Sequence, residues 1–321
     1  MNKAVDFLSR GVSCFAVCLL DKMEIWEKLK QGFNFHHFEK HCHNNRFIAA
    51  INSTLGSLLR DKIIKNVRGI YYLTSFGYAI DKQLGLFLMF FDGYRLLIAN
   101  QEKILREHKK FPEKYIDGQA IAYASIKFSQ ETSEPIILQE ISNLNPKMIC
   151  DLGCGSGSNL IRICEKLKIK GLGIDRNESA LKLGRSLLKH PQLVVLKREN
   201  ILSSRHSYPD VDILLLDYVM HDFVPEAKCV QMLDSMLDKF PNLKYFFITD
   251  IVAPSKKFPS SLPGFDYVHG LLGIKTRTHR ENEIVFKKSK YLVHKEIPIK
   301  KLPNTFFWIL KPKSNMERKK F

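Results

Sequence analysis

Two histidines in the C-terminal half of the chain are placed to share one ligand. The apolar run ILLLD at 213–217 is followed by His221 and Asp222, and His269 follows the apolar run YFFITDIV at 245–252. Both runs predict core strands of a parallel sheet, and open α/β sheets bind ligands at the carboxyl edge of their strands. Two neutral imidazoles converging there could hold one metal ion and leave positions open for a substrate, as a Lewis-acid catalyst requires.

Three interpretations of this histidine pair are open. In the first, His221 and His269 are metal ligands, and iron and zinc suit such a site equally. In the second, one histidine is a general base that works without a metal. In the third, both are polar residues with structural roles. Asp222 is a candidate base or a partner that fixes an imidazole tautomer, and Arg277 or Lys275 could pair with a substrate carboxylate.

A glycine-rich turn provides a second candidate site. Residues 151–157 read DLGCGSG, with Gly153, Gly155 and Gly157 between a predicted strand and a predicted helix. Backbone bends sharply there and can approach a ligand closely. Asp151 suits a cationic or amine-bearing ligand better than a pyrophosphate, and Asp175, at the end of the next strand, can accept hydrogen bonds from ribose hydroxyls. A dinucleotide-binding fold is the alternative, although its G-x-G-x-x-G spacing is absent.

Strands and helices alternate from residue 148 onwards, and this pattern positions both candidate sites. Continuous apolar runs separated by helices of 10–15 residues are typical of a parallel sheet covered on both faces. The closing segment YLVHKEIPIKKLPNTFFWILKP has two strand-like runs without an intervening helix, so we expect an antiparallel pair. The sequence therefore predicts an α/β class with a Rossmann-like, mostly parallel sheet and an antiparallel terminal strand.

The first 110 residues predict a mainly helical domain. An amphipathic helix, a turn at Arg68-Gly69 and the short alternating strand IYYLT together indicate the end of a winged-helix unit. The predicted recognition helix has few basic residues, so we interpret the unit as a packing or dimerisation module. We expect three regions: a helical winged-helix domain at 1–110, linker helices at 111–147 and a catalytic domain at 148–321.

Composition narrows the functional class. The formal net charge is +17, yet the excess of Lys and Arg lies mostly after residue 250 and lacks interleaved surface aromatics, which argues against a nucleic-acid footprint. The seven cysteines include no C-x-x-C pair and predict a reduced, cytoplasmic protein. The apolar stretch at 14–20 is too short to span a bilayer.

The turn and the strand ending in Asp175 resemble class I S-adenosylmethionine-dependent methyltransferases. The resemblance covers residues 148–312, including the antiparallel terminal strand pair. It implies that Asp151 and the three glycines line the methionine end of the cofactor and that Asp175 binds its ribose. It also implies that Glu199 and Asn200 contact adenine and that Asp217 belongs to the cofactor site.

The N-terminal half extends the resemblance to small-molecule O-methyltransferases with winged-helix dimerisation domains. Those enzymes use a histidine base in a segment that ends in Arg-Thr; aligning Arg277-Thr278 puts Gly270 at that position and His269 one residue away. The pair His221 and His269 more closely resembles the two metal-binding histidines of the 2-oxo acid C-methyltransferases, which alkylate the β-carbon of arylpyruvates and related acids.

The sequence thus predicts a cytoplasmic, homodimeric methyltransferase that uses S-adenosylmethionine, with iron or zinc as a second cofactor. The preferred reaction is metal-assisted C-methylation of a small 2-oxo acid. One alternative is O-methylation of a phenolic or hydroxylated metabolite by a histidine base. The other is a nucleic-acid-binding protein with a vestigial cofactor site. Neither a membrane nor a nucleic acid is an expected partner in the preferred interpretation.

Overall fold

The chain forms two compact units, Met1–Arg95 and Leu96–Phe321. This division comes before the boundary at residue 110 that the sequence predicts. The structure is a computed structural model that describes residues 2–106, 113–259, 262 and 264–314.

The first unit is mainly helical. Its elements are α1 (Lys3–Lys22), α2 (Ile25–Gln31), β1 (Phe33–Asn34), α3 (Phe35–His41), α4 (Asn45–Arg60), β2 (Ile64–Val67), β3 (Ile70–Leu73), α5 (Ser75–Asp81), α6 (Leu84–Leu88) and a π-helical turn, Met89–Gly93. The three short strands pair antiparallel in the order β1-β3-β2. Arg68 and Gly69 both have positive φ and form the tight turn between β2 and β3, as the sequence predicts. Helix α4 and this hairpin correspond to the predicted end of a winged-helix unit.

The second unit alternates strands and helices. Its elements are α7 (Arg95–Ala99), α8 (Gln101–Arg106), a 3₁₀ turn (Glu113–Tyr115), α9 (Gly118–Glu131), α10 (Glu134–Ser142), β4 (Met148–Leu152), α11 (Ser158–Leu167), β5 (Lys170–Asp175), α12 (Glu178–Leu187), β6 (Val194–Arg198), β7 (Ile213–Asp217), a 3₁₀ turn (Met220–Asp222), α13 (Glu226–Lys239), β8 (Tyr245–Ile251), α14 (Phe265–Leu271), α15 (His279–Lys288), β9 (Tyr291–Pro298) and β10 (Thr305–Pro312).

The seven strands of this unit form one sheet in the order β6-β5-β4-β7-β8-β10-β9. The first five are parallel, and β10 inserts antiparallel between β8 and β9. This arrangement confirms the predicted α/β class and the antiparallel terminal strand. The strand order reverses between β4 and β7, so the turns after these two strands diverge and leave a crevice at the carboxyl edge of the sheet.

Both faces of the sheet are buried. Alternate residues of β7 serve two separate cores: Leu214 and Leu216 pack in one, and Ile213 and Leu215 pack in the other. A strand with apolar groups on both faces can carry polar groups to a ligand only at its end or just beyond it. The polar residues that follow β4, β5 and β7 are therefore confined to the carboxyl edge of the sheet.

No helix in the part of the chain that the structure describes could span a membrane. None of these helices combines the length and the apolar character that crossing a bilayer requires.

Candidate active site

The glycine turn, residues 151–157, joins β4 to α11. Gly153, Gly155 and Gly157 all have positive φ, between 55° and 71°, which favours glycine at each position. A Cβ at Gly157 would come within 2.5 Å of Leu196, whereas a Cβ at Gly155 would meet nothing within 4 Å. The turn is thus packed against the protein at Gly157 and faces open space at Gly155, where a ligand can approach the backbone.

Asp175 ties the glycine turn to the next helix. One oxygen of its carboxylate accepts the N–H of Gly155 at 2.8 Å, and the other accepts the N–H of Asn177 at 2.7 Å. The carboxylate is fixed at the end of β5 beside the open part of the turn. A carboxylate oxygen has two lone pairs, so each can still accept a bond from a hydroxyl group.

Buried carboxylates give this edge of the sheet a strong preference for cations. Burial, together with the charges of Asp217 and Asp175, raises the pKa of Asp151 well above its ordinary value. Burial also raises the pKa of Asp217 to about 6, although bonds from Thr249 and Ser133 oppose the shift. The Ser133 hydroxyl donates to Asp217 at 2.7 Å. A positively charged ligand would relieve this electrostatic cost.

The predicted adenine-contacting residues follow β6. Glu199 pairs with Lys197 at 2.6 Å and accepts a bond from the Tyr208 hydroxyl at 2.7 Å. Burial opposes its ionisation, but the bonds from Lys197, Ser204, Tyr208 and His206 lower the pKa of Glu199 to about 2. Asn200 accepts the Leu202 N–H at 3.1 Å, which shapes the turn after the strand. Glu199 is therefore ionised and held within a protein network.

The two histidines come together although 47 residues separate them in the chain. His221 lies on the 3₁₀ turn after β7, and His269 lies on α14, so it follows β8 only after an intervening loop. Their ring centroids are 4.7 Å apart with an interplanar angle of 85°, and each residue is 5% exposed. Tyr218, with φ of 57°, turns the chain at the end of β7 and leads it into the turn that carries His221.

Each ring is held by its Nδ1 atom. His221 Nδ1 lies 2.6 Å from a carboxylate oxygen of Asp250, and His269 Nδ1 lies 2.8 Å from the carbonyl oxygen of Phe265. Both acceptors require a proton on Nδ1 of the neutral ring, which places the lone pair of a neutral imidazole on Nε2. The Phe265 ring stacks on His269 with centroids 3.9 Å apart and fixes its plane.

The two imidazoles differ in proton affinity. Burial lowers the pKa of His221, but the charge and hydrogen bond of Asp250 outweigh burial, and the net shift is upward. Burial and the neighbouring His221 lower the pKa of His269 to about 4, since a backbone carbonyl compensates much less than a carboxylate. His269 is consequently neutral at physiological pH, as a metal ligand must be.

Asp222 completes a cluster with metal-ligand chemistry. Donor atoms of His221, Asp222 and His269 lie within 4.8 Å of one another, and this is the one such group of three or more among residues 2–106, 113–259, 262 and 264–314. The Asp222 side chain is 53% exposed, and its carboxylate lies 3.7 Å from His221 Nε2. This separation is longer than a hydrogen bond. The donor set fits a divalent or ferric ion.

Arg277 is buried beneath the turn that carries His221. Its guanidinium donates to the carbonyl oxygens of Met220 at 2.6 Å and Phe223 at 2.8 Å, and to the Asn282 side chain at 2.7 Å. These bonds direct the side chain at the protein backbone on both sides of His221, where the sequence predicts a pairing with a substrate carboxylate. The sequence analysis predicted neither the bonds of Arg277 to the backbone around His221 nor the bond between Asp250 and His221. A lone carboxylate inside the apolar run FFITDIV was the available signal for Asp250.

Residues 145–285 match the family model described as a methyltransferase domain. The chain carries a methyltransferase domain. The indolepyruvate C-methyltransferase of Streptomyces griseus is 26% identical to this methyltransferase over 267 residues, which cover 81% of this chain and 80% of the relative. The protein is an S-adenosylmethionine-dependent methyltransferase.

Solved structures share the fold of this methyltransferase along most of its length. Human N-acetylserotonin methyltransferase in complex with S-adenosylmethionine is similar with a TM-score of 0.70 and 12% identity, and the match covers 97% of each chain. A methyltransferase of calicheamicin biosynthesis bound to S-adenosylhomocysteine is similar with a TM-score of 0.64 and 16% identity, over 97% of this chain and 98% of that one. At these identities the likeness concerns the fold.

Proposed function

We propose that the protein catalyses metal-assisted C-methylation of a 2-oxo acid at its β-carbon, with S-adenosylmethionine as the methyl donor. The observation that carries this proposal is the cluster of His221, Asp222 and His269, whose donor atoms lie within 4.8 Å of one another. The similarity to a protein named indolepyruvate C-methyltransferase supports the substrate class.

Residues at the carboxyl edge of the sheet would hold the methyl donor. The glycine turn with Asp151 and Asp217 would receive the methionine portion, because buried carboxylates favour its ammonium group. Asp175 would accept bonds from the ribose hydroxyls, and Glu199 and Asn200 would flank the adenine. Their assignment follows the order of the strands, β4, β5 and β6, along one edge of the sheet.

His221 and His269 would hold the metal, iron or zinc, through Nε2. Such an ion, when bound, polarises the carboxylate and keto oxygens of a 2-oxo acid and makes the β-hydrogens more acidic. Asp222 then accepts a β-proton, for which its exposed carboxylate is accessible. The β-carbon forms a bond to the methyl group as the sulfur–methyl bond breaks, which leaves S-adenosylhomocysteine. Arg277 holds the backbone on either side of His221 and so keeps the turn in place.

A second candidate, O-methylation of a phenolic or hydroxylated metabolite, is favoured by one observation. Asp250 accepts a bond from Nδ1 of His221 and raises the pKa of that ring. A histidine supported by a buried carboxylate is a competent general base at Nε2. In this reaction His221 removes the hydroxyl proton of the substrate and no metal takes part.

One experiment separates the two reactions. The enzyme is incubated with methyl-labelled S-adenosylmethionine and a panel of 2-oxo acids and phenols, and mass spectrometry locates the label. We expect label on the β-carbon of a 2-oxo acid, stoichiometric metal in the purified protein and loss of activity with a chelator. Label on oxygen, together with activity that survives chelation, would reject the C-methylation proposal in favour of O-methylation.

We also propose that the protein is a cytoplasmic homodimer. Helix α1 exposes several large apolar side chains, which are costly to leave in water on a monomer: Val5, Phe7, Leu8, Val12 and Phe15. Light scattering after size-exclusion chromatography should give twice the mass of the 37.2 kDa chain. Replacing Phe7 and Leu8 with Ser should shift the protein towards the monomer.

A further inference from the structure

Asp250 is buried directly behind the histidine pair, on β8. The residue is 1% exposed, and its carboxylate accepts three bonds: His221 Nδ1 at 2.6 Å, the His221 backbone N–H at 2.7 Å and the Ile251 N–H at 2.8 Å. It therefore holds the ring and the backbone of one residue at the same time. No other side chain among the described residues is bonded to His221 in this two-point manner.

We propose that Asp250 is the positioning residue of His221, fixing the Nδ1–H tautomer of the neutral ring so that its Nε2 lone pair faces His269. The identity of the ligand that Nε2 then binds rests on the proposed function. The tautomer itself does not rest on it, because it follows from an acceptor-only carboxylate next to Nδ1. Second partners of this kind orient a ligating imidazole and raise its basicity.

The two histidines consequently become unequal donors. His269 is held by the carbonyl oxygen of Phe265, a neutral acceptor within its own helix. His221 is held by a charged acceptor from a different strand, and hydrogen bonds to a charged group are shorter and stronger. His221 should therefore be the stronger σ-donor of the pair, and the ligand that sets the affinity of the site.

Packing alone gives no reason for a carboxylate at position 250. Asp250 lies between Thr249 and Ile251 on β8, and these two neighbours are both 3% exposed or less. Burying a carboxylate costs several kcal/mol unless partners compensate. The described hydrogen bonds of Asp250 come from the imidazole and from backbone N–H groups. The residue that gains from this arrangement is His221.

The test compares Asp250→Asn with Asp212→Asn. Asp212 is also a buried carboxylate of this sheet, 4% exposed, and it accepts the N–H groups of Lys147 and Met148 at the opposite edge. The His221 N–H bonds to one oxygen of Asp250, and the Ile251 N–H bonds to the oxygen that also accepts Nδ1–H. In D250N an NH₂ group replaces one of these two acceptors, and in one of its two orientations it faces Nδ1 as a donor. In that orientation the ring adopts the Nε2–H tautomer, and that proton occupies the metal-binding lone pair.

Zinc affinity and the tautomer are measured separately. Competition with a chromophoric chelator should show zinc bound roughly 10- to 100-fold more weakly by D250N than by wild type, with D212N unchanged. Nitrogen-15 NMR of the metal-free protein, at a pH where the ring is neutral, should show His221 protonated at Nδ1 in wild type and D212N, and a population protonated at Nε2 only in D250N.

Two results would overturn the inference: an Nε2–H tautomer of His221 in the wild type, which can be read even where D250N does not fold, or equal zinc affinity in wild type and D250N. A wild type with the Nδ1–H tautomer that takes up no zinc would support the positioning role and reject the metal-assisted reaction. The two proposals can therefore fail independently.

Discussion

The two parts of the site are constructed in opposite ways. The glycine turn takes its shape from local backbone conformation, with three glycines in the left-handed region, and Asp175 contacts it from the adjacent parallel strand β5. The histidine site, formed by His221, Asp222, His269 and Asp250, draws on three separate elements joined by buried polar bonds. A ligand-binding turn can be specified locally, whereas a metal-binding geometry depends on the tertiary arrangement.

The largest expected effect comes from changes in the histidine site, which should lower the rate of methyl transfer without affecting cofactor binding. His221→Ala or His269→Ala should each lower the rate of methyl transfer by about 1,000-fold or more, because a Lewis acid contributes several kcal/mol to a transition state. The affinity for S-adenosylmethionine, measured by calorimetry, should change less than about twofold. A variant that keeps its rate would contradict the assigned role of that histidine.

A change in the glycine turn region should have the converse effect. Asp175→Asn removes the charge that accepts ribose hydroxyl bonds and weakens its bonds to the N–H groups of Gly155 and Asn177. We expect about 10- to 100-fold weaker cofactor binding, since hydrogen bonds to charged groups contribute about 1.5–3 kcal/mol. Zinc affinity should be unaffected, and a parallel loss of zinc would show that the two parts are coupled.

The pH dependence of cofactor binding reports on Asp217. Burial raises its pKa to about 6, and a cationic ligand binds the ionised form, so affinity should be full above that pH. It should fall by up to about tenfold per pH unit below it. Asp217→Asn should bind more weakly at high pH and lose this step. A wild-type affinity that stays constant between pH 7 and 5 would exclude Asp217 from the cofactor site.

The smallest effect comes from a matched pair of glycines. Gly155 and Gly273 have φ of 55° and 72°, and a Cβ at either would meet nothing within 4 Å. Alanine at each position should cost about 1–2 kcal/mol of unfolding free energy, measured by urea denaturation, because both positions are left-handed. Only G155A should also weaken cofactor binding. Equal cofactor affinities for the two variants would place the ligand away from Gly155.

Much of the fold was predictable because its signals are local. The glycines of residues 151–157, the apolar runs of β4, β5, β7 and β8, and the missing helix between the last two strands each reflect their own stretch of chain. These patterns predicted the confirmed sheet, including its antiparallel strand. The approach of His221 to His269 was predicted from one rule about the carboxyl edge of parallel sheets.

The roles of residues whose partners are distant in the chain were harder to predict from the sequence. Arg277 has the chemistry to bind a substrate carboxylate, but the fold directs its guanidinium at the carbonyl oxygens of Met220 and Phe223. Asp222 is adjacent to His221 in sequence, yet Asp250 holds the ring. A sequence suggests residues that are close along the chain as hydrogen-bond partners. In the interior of the protein, the order of the strands determines which residues are close enough to bond.

The sequence by itself determined the glycine turn, the class of the sheet and the presence of two histidines beyond core strands. Backbone conformation and hydrophobic periodicity are properties of short segments, so both can be inferred from the sequence before the fold is known. Only the tertiary structure decided that Asp250 meets Nδ1 of His221 and that His221, Asp222 and His269 form one cluster. Those contacts depend on the register of β8 beside β7, and on a helix, α14, whose docking is fixed by packing rather than by its own sequence.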